Sequence, residues 1–290
     1  MTQVCNSPLA ERLRDIGEVA TLPSVFARIL SLVQSESSTA LDLAAEISGD
    51  QALTLRVLRT VNSSYYGFSR QIQTVPDAVV LLGFSEIERL ALAISVINLF
   101  RYNRETARAL HKLWQHSMAA SVVGSLFEIR HQESRAFSGA HVACLLHDVG
   151  KAVIAQYVPE AVVPILSLMN DEGMSSCDAE RQVLDGTTHC EVGAWLADKW
   201  GLPPALVESI AQHHTPENVP EDHVLVHVAH LADTLCNSLG FFSVNAKQIL
   251  PPHSRSSESV HLDSAMMASV REHLHRQLGL LGAVAGGALA

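Results

Sequence analysis

Several features are missing from this 290-residue sequence, and each absence closes off a class of protein. No stripe or arm of clustered Lys and Arg is present and the formal net charge is -10, so the electrostatic footprint that binding to a phosphate backbone requires is absent. No nucleic-acid partner is expected. No apolar run reaches the roughly 18 residues of a membrane-spanning helix. The longest are Leu90 to Phe100 and Leu278 to Ala290. The N-terminus also lacks the basic-then-apolar order of a signal peptide. A soluble, cytoplasmic protein without a membrane partner is therefore expected. No C-x-x-C pair occurs among Cys5, Cys144, Cys177, Cys190 and Cys236, and their number is odd, which fits reduced thiols rather than a disulfide framework. No stretch alternates with period two between hairpin turns, so nothing calls for a sheet.

What is present is an apolar chain, 48% hydrophobic and 17% charged, long enough to bury a large core. Its apolar positions recur at helical spacing. From Pro23, Val25, Phe26, Ile29, Leu30 and Val33 define one helix. Thr39 to Asp42 and Ser85 to Glu88 both fit a capping box, in which side chains satisfy orphan backbone donors at a helix start. Asp50 can cap a helix carrying Leu53, Val57, Leu58 and Val61, and a short helix from Pro76 stops at Gly83. Further helices are expected around His111–Ile129, Gly139–Tyr157, Pro159–Asn170, His189–Trp200, Pro204–His213 and Leu225–Leu239, with Gly201-Leu202-Pro203 as a stop signal. The expected class is all-α, as a multi-helix bundle with an N-terminal helical lobe over 1–105 and a second lobe over 106–245. A linker, a marginal helix (Leu262–Leu280) and a mobile Gly/Ala-rich tail fill 246–290.

Fifteen histidines raise the question of which converge on one point. His111, His131, His141, His223, His253, His261, His273 and His275 read as surface or satisfied core residues, and His227 and His230 only slightly otherwise. The run Ala143-Cys144-Leu145-Leu146-His147-Asp148-Val149-Gly150-Lys151 differs, because an apolar helix delivers a neighbouring His and Asp to the interior, where they need partners or a metal. Imidazole and carboxylate together suit divalent Fe, Mn, Co, Ni or Zn, and a carboxylate can bridge two ions. A hydrogen-bonded buried pair remains the other reading of the dipeptide alone.

The residues around it resemble the HD superfamily of metal-dependent phosphohydrolases, whose pattern is a helical His, then His-Asp, then further His residues and a late Asp. His116, His147-Asp148, His189, His213-His214 and Asp233 match in that order. The first lobe narrows the resemblance to the HDOD family, the HD-related output domain of bacterial signalling proteins, over about residues 15 to 240. Its marks are Leu22-Pro23-Ser24-Val25, Leu43-Ala44-Ala45-Glu46-Ile47, Leu53 to Leu58, Val61 to Gly67 and Ala78 to Gly83. Members of that family often lack part of the ligand set, whereas this chain keeps every position. The chain is also similar to the HD-GYP cyclic-di-GMP phosphodiesterases, but Thr215 to Pro220 stands where a Gly-Tyr-Pro segment belongs. Lys112 stands where some of them place a Glu for a third metal.

The resemblance implies two divalent transition-metal ions, with Fe or Mn favoured and Zn, Ni or Co as alternatives. His116, His147, Asp148 and Asp233 would hold one ion, and Asp148, His189 and His213 or His214 the other. Asp148 would bridge them, and the pair would activate water for attack on a phosphorus centre. Lys151, one turn after His147, would set an ammonium near a substrate phosphate or simply face solvent. Asn62 to Gly67 reads as a structural turn or a binding loop. Two functions follow. One is a metal-dependent phosphohydrolase acting on a phosphate-containing small molecule, a nucleotide or cyclic nucleotide. The other is a non-catalytic signalling output or scaffold module with protein partners, and a homo-oligomer is compatible with either.

Overall fold

The computed structural model describes residues 22–33, 35, 37–63, 66–100, 106–241 and 251–288, with side chains to residue 276. Among these residues every regular element is helical and no strand occurs. None of the described helices is long and apolar enough to cross a membrane. The chain divides into two compact units, one built on Ala20–Arg101 and the other on Tyr102–Leu274. Cys5 and the pair Ser64 and Tyr65 lie outside the described residues.

The first unit contains helices α1 (Ser24–Val33), α2 (Ala40–Ser48), α3 (Gln51–Val61), α4 (Val75–Leu82) and α5 (Phe84–Ile97). Their apolar faces are buried, with Phe26, Ile29, Leu43, Ile47, Val57 and Ile87 fully enclosed. The expected capping box at Thr39 forms: its hydroxyl accepts the Asp42 N–H at 3.3 Å, and Asp42 accepts the Thr39 N–H at 2.8 Å. Such caps contribute about 1 kcal/mol. Asp50 caps α3 as expected, accepting the Leu53 N–H at 2.9 Å. The box expected at Ser85 to Glu88 does not form. Gly83, at φ 87°, ends α4 and begins α5 in one step, so Ser85 already lies inside the helix and Glu88 is buried. Only a glycine adopts that backbone conformation without strain.

At the end of α3 the Asn62 amide donates to the carbonyls of Leu58 and Ile72, at 2.8 and 2.7 Å, and its oxygen accepts the Ile72 N–H at 2.7 Å. Asn62 thus serves as a clamp for the loop behind it, which is the structural alternative at this position.

The second unit contains α6 (Ala107–Arg130), α7 (Ala140–Leu146), α8 (Val149–Tyr157), α9 (Pro159–Asp171), α10 (Ser176–Val183), α11 (His189–Lys199), α12 (Pro204–Gln212), α13 (Val224–Ser238) and α14 (Ser254–Ser259). Two differences from the sequence reading matter for the site. The helix expected over Gly139–Tyr157 is interrupted, α7 ending and α8 beginning on either side of His147 and Asp148. Helix α10 was not among the expected helices. Within the stretch read as linker, α14 forms and Ser256 is buried, and the last helix, α15, runs from Ser264 to Ala288. His230 spans two layers of this unit, donating from Nδ1 to the His213 carbonyl at 2.8 Å and accepting the His253 N–H at 3.0 Å.

Candidate metal centre

In an unbroken helix consecutive side chains diverge by about 100°. The interruption between α7 and α8 removes that constraint: His147 keeps helical angles (φ -50°, ψ -36°) while Asp148 leaves them (φ -101°, ψ 10°). Both side chains then reach one enclosed cluster and are fully buried. Close approach of α8 to α11 places that cluster against His189. A Cβ on Gly150 would lie 1.9 Å from the His189 carbonyl oxygen, so only glycine allows the two backbones to meet.

The histidines arrive with one nitrogen already engaged. His116, from the middle of α6, has Nδ1 2.5 Å from the Phe241 carbonyl. His147 Nδ1 lies 2.7 Å from the Cys144 carbonyl, and His213 Nδ1 2.9 Å from that of Ile210. A carbonyl can only accept, so in each of these rings Nδ1 carries the proton, and in the neutral ring Nε2 presents a lone pair. His189, first residue of α11, is gripped by Glu180 from α10, which lies 2.6 Å from Nδ1 and also accepts the His189 N–H at 2.8 Å.

The four Nε2 atoms and two carboxylates form two groups around Asp148. On one side His116 Nε2 lies 3.2 Å from His147 Nε2 and 3.1 Å from Asp233 Oδ1, and Asp148 Oδ2 lies 3.5 Å from His147 Nε2 and 3.9 Å from His116 Nε2. On the other, Asp148 Oδ1 lies 3.1 Å from His189 Nε2 and 3.6 Å from His213 Nε2, and those two nitrogens are 3.4 Å apart. Potential ligand atoms of His116, His147, Asp148 and Asp233 fall within 4.8 Å of one another, as do those of Asp148, His189, His213 and His214. All seven expected ligand positions are brought together. His214 is the least enclosed, 29% exposed, with Nδ1 3.9 Å from Asp233 Oδ2.

The charges fit cations. Burial opposes ionisation of Asp148, but Lys151 and His147 outweigh it and hold the carboxyl well below its usual range. Asp233 is likewise ionised against its burial, through hydrogen bonds to His116 and His147. Burial lowers His213 to about 4, helped by the neighbouring His147 and His189, which keeps it a neutral ligand. Burial also works against a charged His189, yet Glu180 above all, and Asp148, raise it to about 10. A place between two carboxylates that attracts a proton this strongly also attracts a metal ion. Asp148 Oδ1 is fully buried and faces two imidazole nitrogens, and the ring nitrogens of each group face one another a little over 3 Å apart, an arrangement that a cation between them satisfies. The donor set therefore fits divalent metal.

Lys151, expected near a substrate phosphate, pairs with Asp148 Oδ2 at 2.7 Å and is 12% exposed. Four participants escape the sequence pattern. Glu180 orients His189, and Asn237 donates to Asp233 Oδ1 at 2.8 Å. Cys177 and Cys190, read only as reduced thiols, stand with His189 and His214 in a further group of donors. Several of the other histidines have structural partners: His141 pairs with Glu128 at 2.8 Å, His131 stacks on Phe137 and His227 bonds Ser256 and Pro220.

An all-helical unit enclosing a histidine–aspartate cluster of this kind defines an HD-type domain. The chain belongs to the HDOD family, whose domain model matches residues 19–216. A solved HDOD domain protein of unknown function from Geobacter sulfurreducens is similar at 24% identity, covering 94% of this chain and 95% of its own, with a TM-score of 0.74. A candidate signal transduction protein from Marinobacter aquaeolei VT8 is similar at 23% identity, covering 96% of this chain and 62% of its own, with a TM-score of 0.74. A candidate phosphohydrolase from Shewanella amazonensis SB2B is 22% identical over 98% of this chain and 99% of its own, with a TM-score of 0.64. At these identities the likeness is one of fold. A curated relative, an uncharacterised protein of Treponema pallidum (strain Nichols), is 23% identical over 215 residues, and the match spans 40% of that protein's length.

Proposed function

We propose that this chain is a metal-dependent phosphohydrolase that cleaves a phosphodiester or nucleotide phosphate and serves bacterial signal transduction. The observation that carries this reading is Asp148, whose two buried oxygens each face a separate pair of histidines. His116, His147, Asp148 and Asp233 would hold one divalent ion, and Asp148, His189, His213 and His214 the other, with Fe or Mn the favoured ions. Two such ions when bound lower the pKa of water and offset phosphate charge.

The chain's own groups prepare the site for an anionic substrate. Burial works against the Lys151 ammonium, but Asp148, Asp233 and Glu180 outweigh it, so its proton is held firmly. Lys151 thus adds a fixed positive charge at the edge of the cluster. A small apolar recess of about 50 Å³, walled by Leu110, Leu113, Ile154 and Met169, reaches Lys151 and Glu180 beside the cluster. The candidate phosphohydrolase from Shewanella amazonensis supports the reading at the level of fold.

One observation favours a non-catalytic signalling module instead. Lys151 on Asp148 and His116 on Asp233 already pair both carboxylates within the chain, so the cluster can close without turnover. Metal analysis of the purified protein, together with hydrolysis of bis(p-nitrophenyl) phosphate and of nucleotides, separates the two. The enzyme reading expects bound transition metal and turnover that Asp148→Ala abolishes together with metal content. Metal-loaded protein that turns over none of these substrates would leave the signalling module, and protein that takes up no transition metal would overturn the catalytic centre.

A further inference from the structure

The thiols of Cys177 and Cys190, which form a group with His189 and His214, are not used by the phosphohydrolase reading. Cys177 lies in the first turn of α10 and Cys190 in the first turn of α11. The double grip of Glu180 on His189 ties these two helix starts together. Ligand atoms of all four residues fall within 4.8 Å of one another. The Cys190 sulfur stands 3.5 Å from His189 Nε2, the nitrogen that also faces Asp148 and His213.

From these positions we propose that Cys177, Cys190, His189 and His214 form a thiophilic metal site for a zinc-class d10 ion. It shares His189 and His214 with the nitrogen–oxygen donor set and competes with it.

Two thiolates and two imidazoles are a donor set that zinc takes in tetrahedral geometry. With Zn–S near 2.3 Å and Zn–N near 2.0–2.1 Å, a tetrahedral site has a sulfur–nitrogen edge of about 3.6 Å. The Cys190–His189 separation of 3.5 Å matches it. The corresponding nitrogen–nitrogen edge is about 3.3 Å, and the His189–His213 separation of 3.4 Å matches that equally well. His189 Nε2 is thus a vertex of two overlapping sites. It has one lone pair and can serve one ion at a time.

Ligand softness decides which ion goes where. Carboxylate and imidazole around Asp148 suit Mn and Fe, whereas thiolates draw Zn and Cd. Binding on the sulfur side releases the two thiol protons to solvent, and the two thiolate charges balance the dication. Occupation of that side withdraws His189 from Asp148, so a thiophilic ion would act as an inhibitor of the neighbouring centre. The second observation pointing to a ligand here is Nε2 of His214, a buried nitrogen without a hydrogen-bond partner.

The test uses the reduced full-length protein and Cd2+ as the probe. Wild type should develop the ultraviolet thiolate-to-cadmium charge-transfer band, and a Cys5→Ser variant should keep it. Cys177→Ser/Cys190→Ser should lose the band while retaining helical circular dichroism and Mn2+ uptake. In Mn2+-loaded wild type, Cd2+ should release part of the manganese, read as free Mn2+ by electron paramagnetic resonance, and the double variant should resist that release. A 113Cd nuclear magnetic resonance spectrum of wild type supplies a readout that does not depend on the variants folding. A shift of mixed sulfur–nitrogen coordination is expected. A band that survives in the double variant, or a cadmium spectrum without sulfur ligation, overturns the proposal. Wild type that binds Cd2+ through sulfur but takes up no Mn2+ would instead sink the two-metal centre and leave the thiophilic site standing.

Discussion

Glu180 shows how one residue outside the ligand pattern sets the geometry of one inside it. A single carboxylate oxygen receives both the ring Nδ1–H and the backbone N–H of His189, so ring orientation and helix start are fixed together. Partners of this kind typically contribute a factor of about 10–100 in metal affinity. Glu180→Ala should therefore weaken Mn2+ or Fe2+ binding by about that factor in a chelator competition, with Glu180→Gln recovering part of it through its remaining acceptor. Equal affinities for all three proteins would show that packing alone holds the ring. The ligands themselves are legible in the sequence because a His, a His-Asp pair, further His residues and a late Asp are chemically distinctive types in a fixed order. Glu180 is not, since an acidic residue nine positions ahead of a histidine carries no signal until the chain folds it back. Cys177 and Cys190 are silent for the same reason: thirteen positions apart, they meet only because two helix starts do.

At the level of elements, the interruption between α7 and α8 and the close contact of α8 with α11 create the site. The apolar run from Val142 to Leu146 and on from Val149 reads as one helix because every position that packs is apolar on both sides of the break. The backbone departure at Asp148 leaves no trace in apolar periodicity. Helix α10 is equally hidden: it buries only Ala179 and Glu180, too few positions to establish a period. Its Ser175 cap, which accepts the Asp178 N–H at 3.1 Å, is the signal that could have found it. Gly150→Ala tests the contact. Its new methyl would collide with backbone rather than with a yielding side chain. A loss of about 1–3 kcal/mol is expected from such overpacking, with Mn2+ uptake falling alongside the melting temperature as α8 moves off α11. Gly186→Ala, at φ 90° with open space around it, is the control: backbone strain costs stability there without touching the donors. Unchanged metal uptake in Gly150→Ala would mean that the donors tolerate separation of the two helices.

At the scale of the molecule, both donor groups lie within the unit built on Tyr102–Leu274. An ion bound only by the folded state stabilises that unit by about 2.7 kcal/mol at a free concentration 100 times its Kd. Amide exchange in α6, α8, α11 and α13 should consequently slow on adding Mn2+ and return on chelation, and exchange rates indifferent to the ion would place metal elsewhere. The family-matched segment ends at residue 216, yet Asp233 and the Phe241 carbonyl that aims His116 both come later, as does the His253 N–H that braces His230 against the His213 backbone. A fragment trimmed to the homologous boundary would carry most of the histidines and still lack a carboxylate, a tautomer-setting acceptor and a brace. For this protein the donor cluster extends beyond the segment that reveals its ancestry.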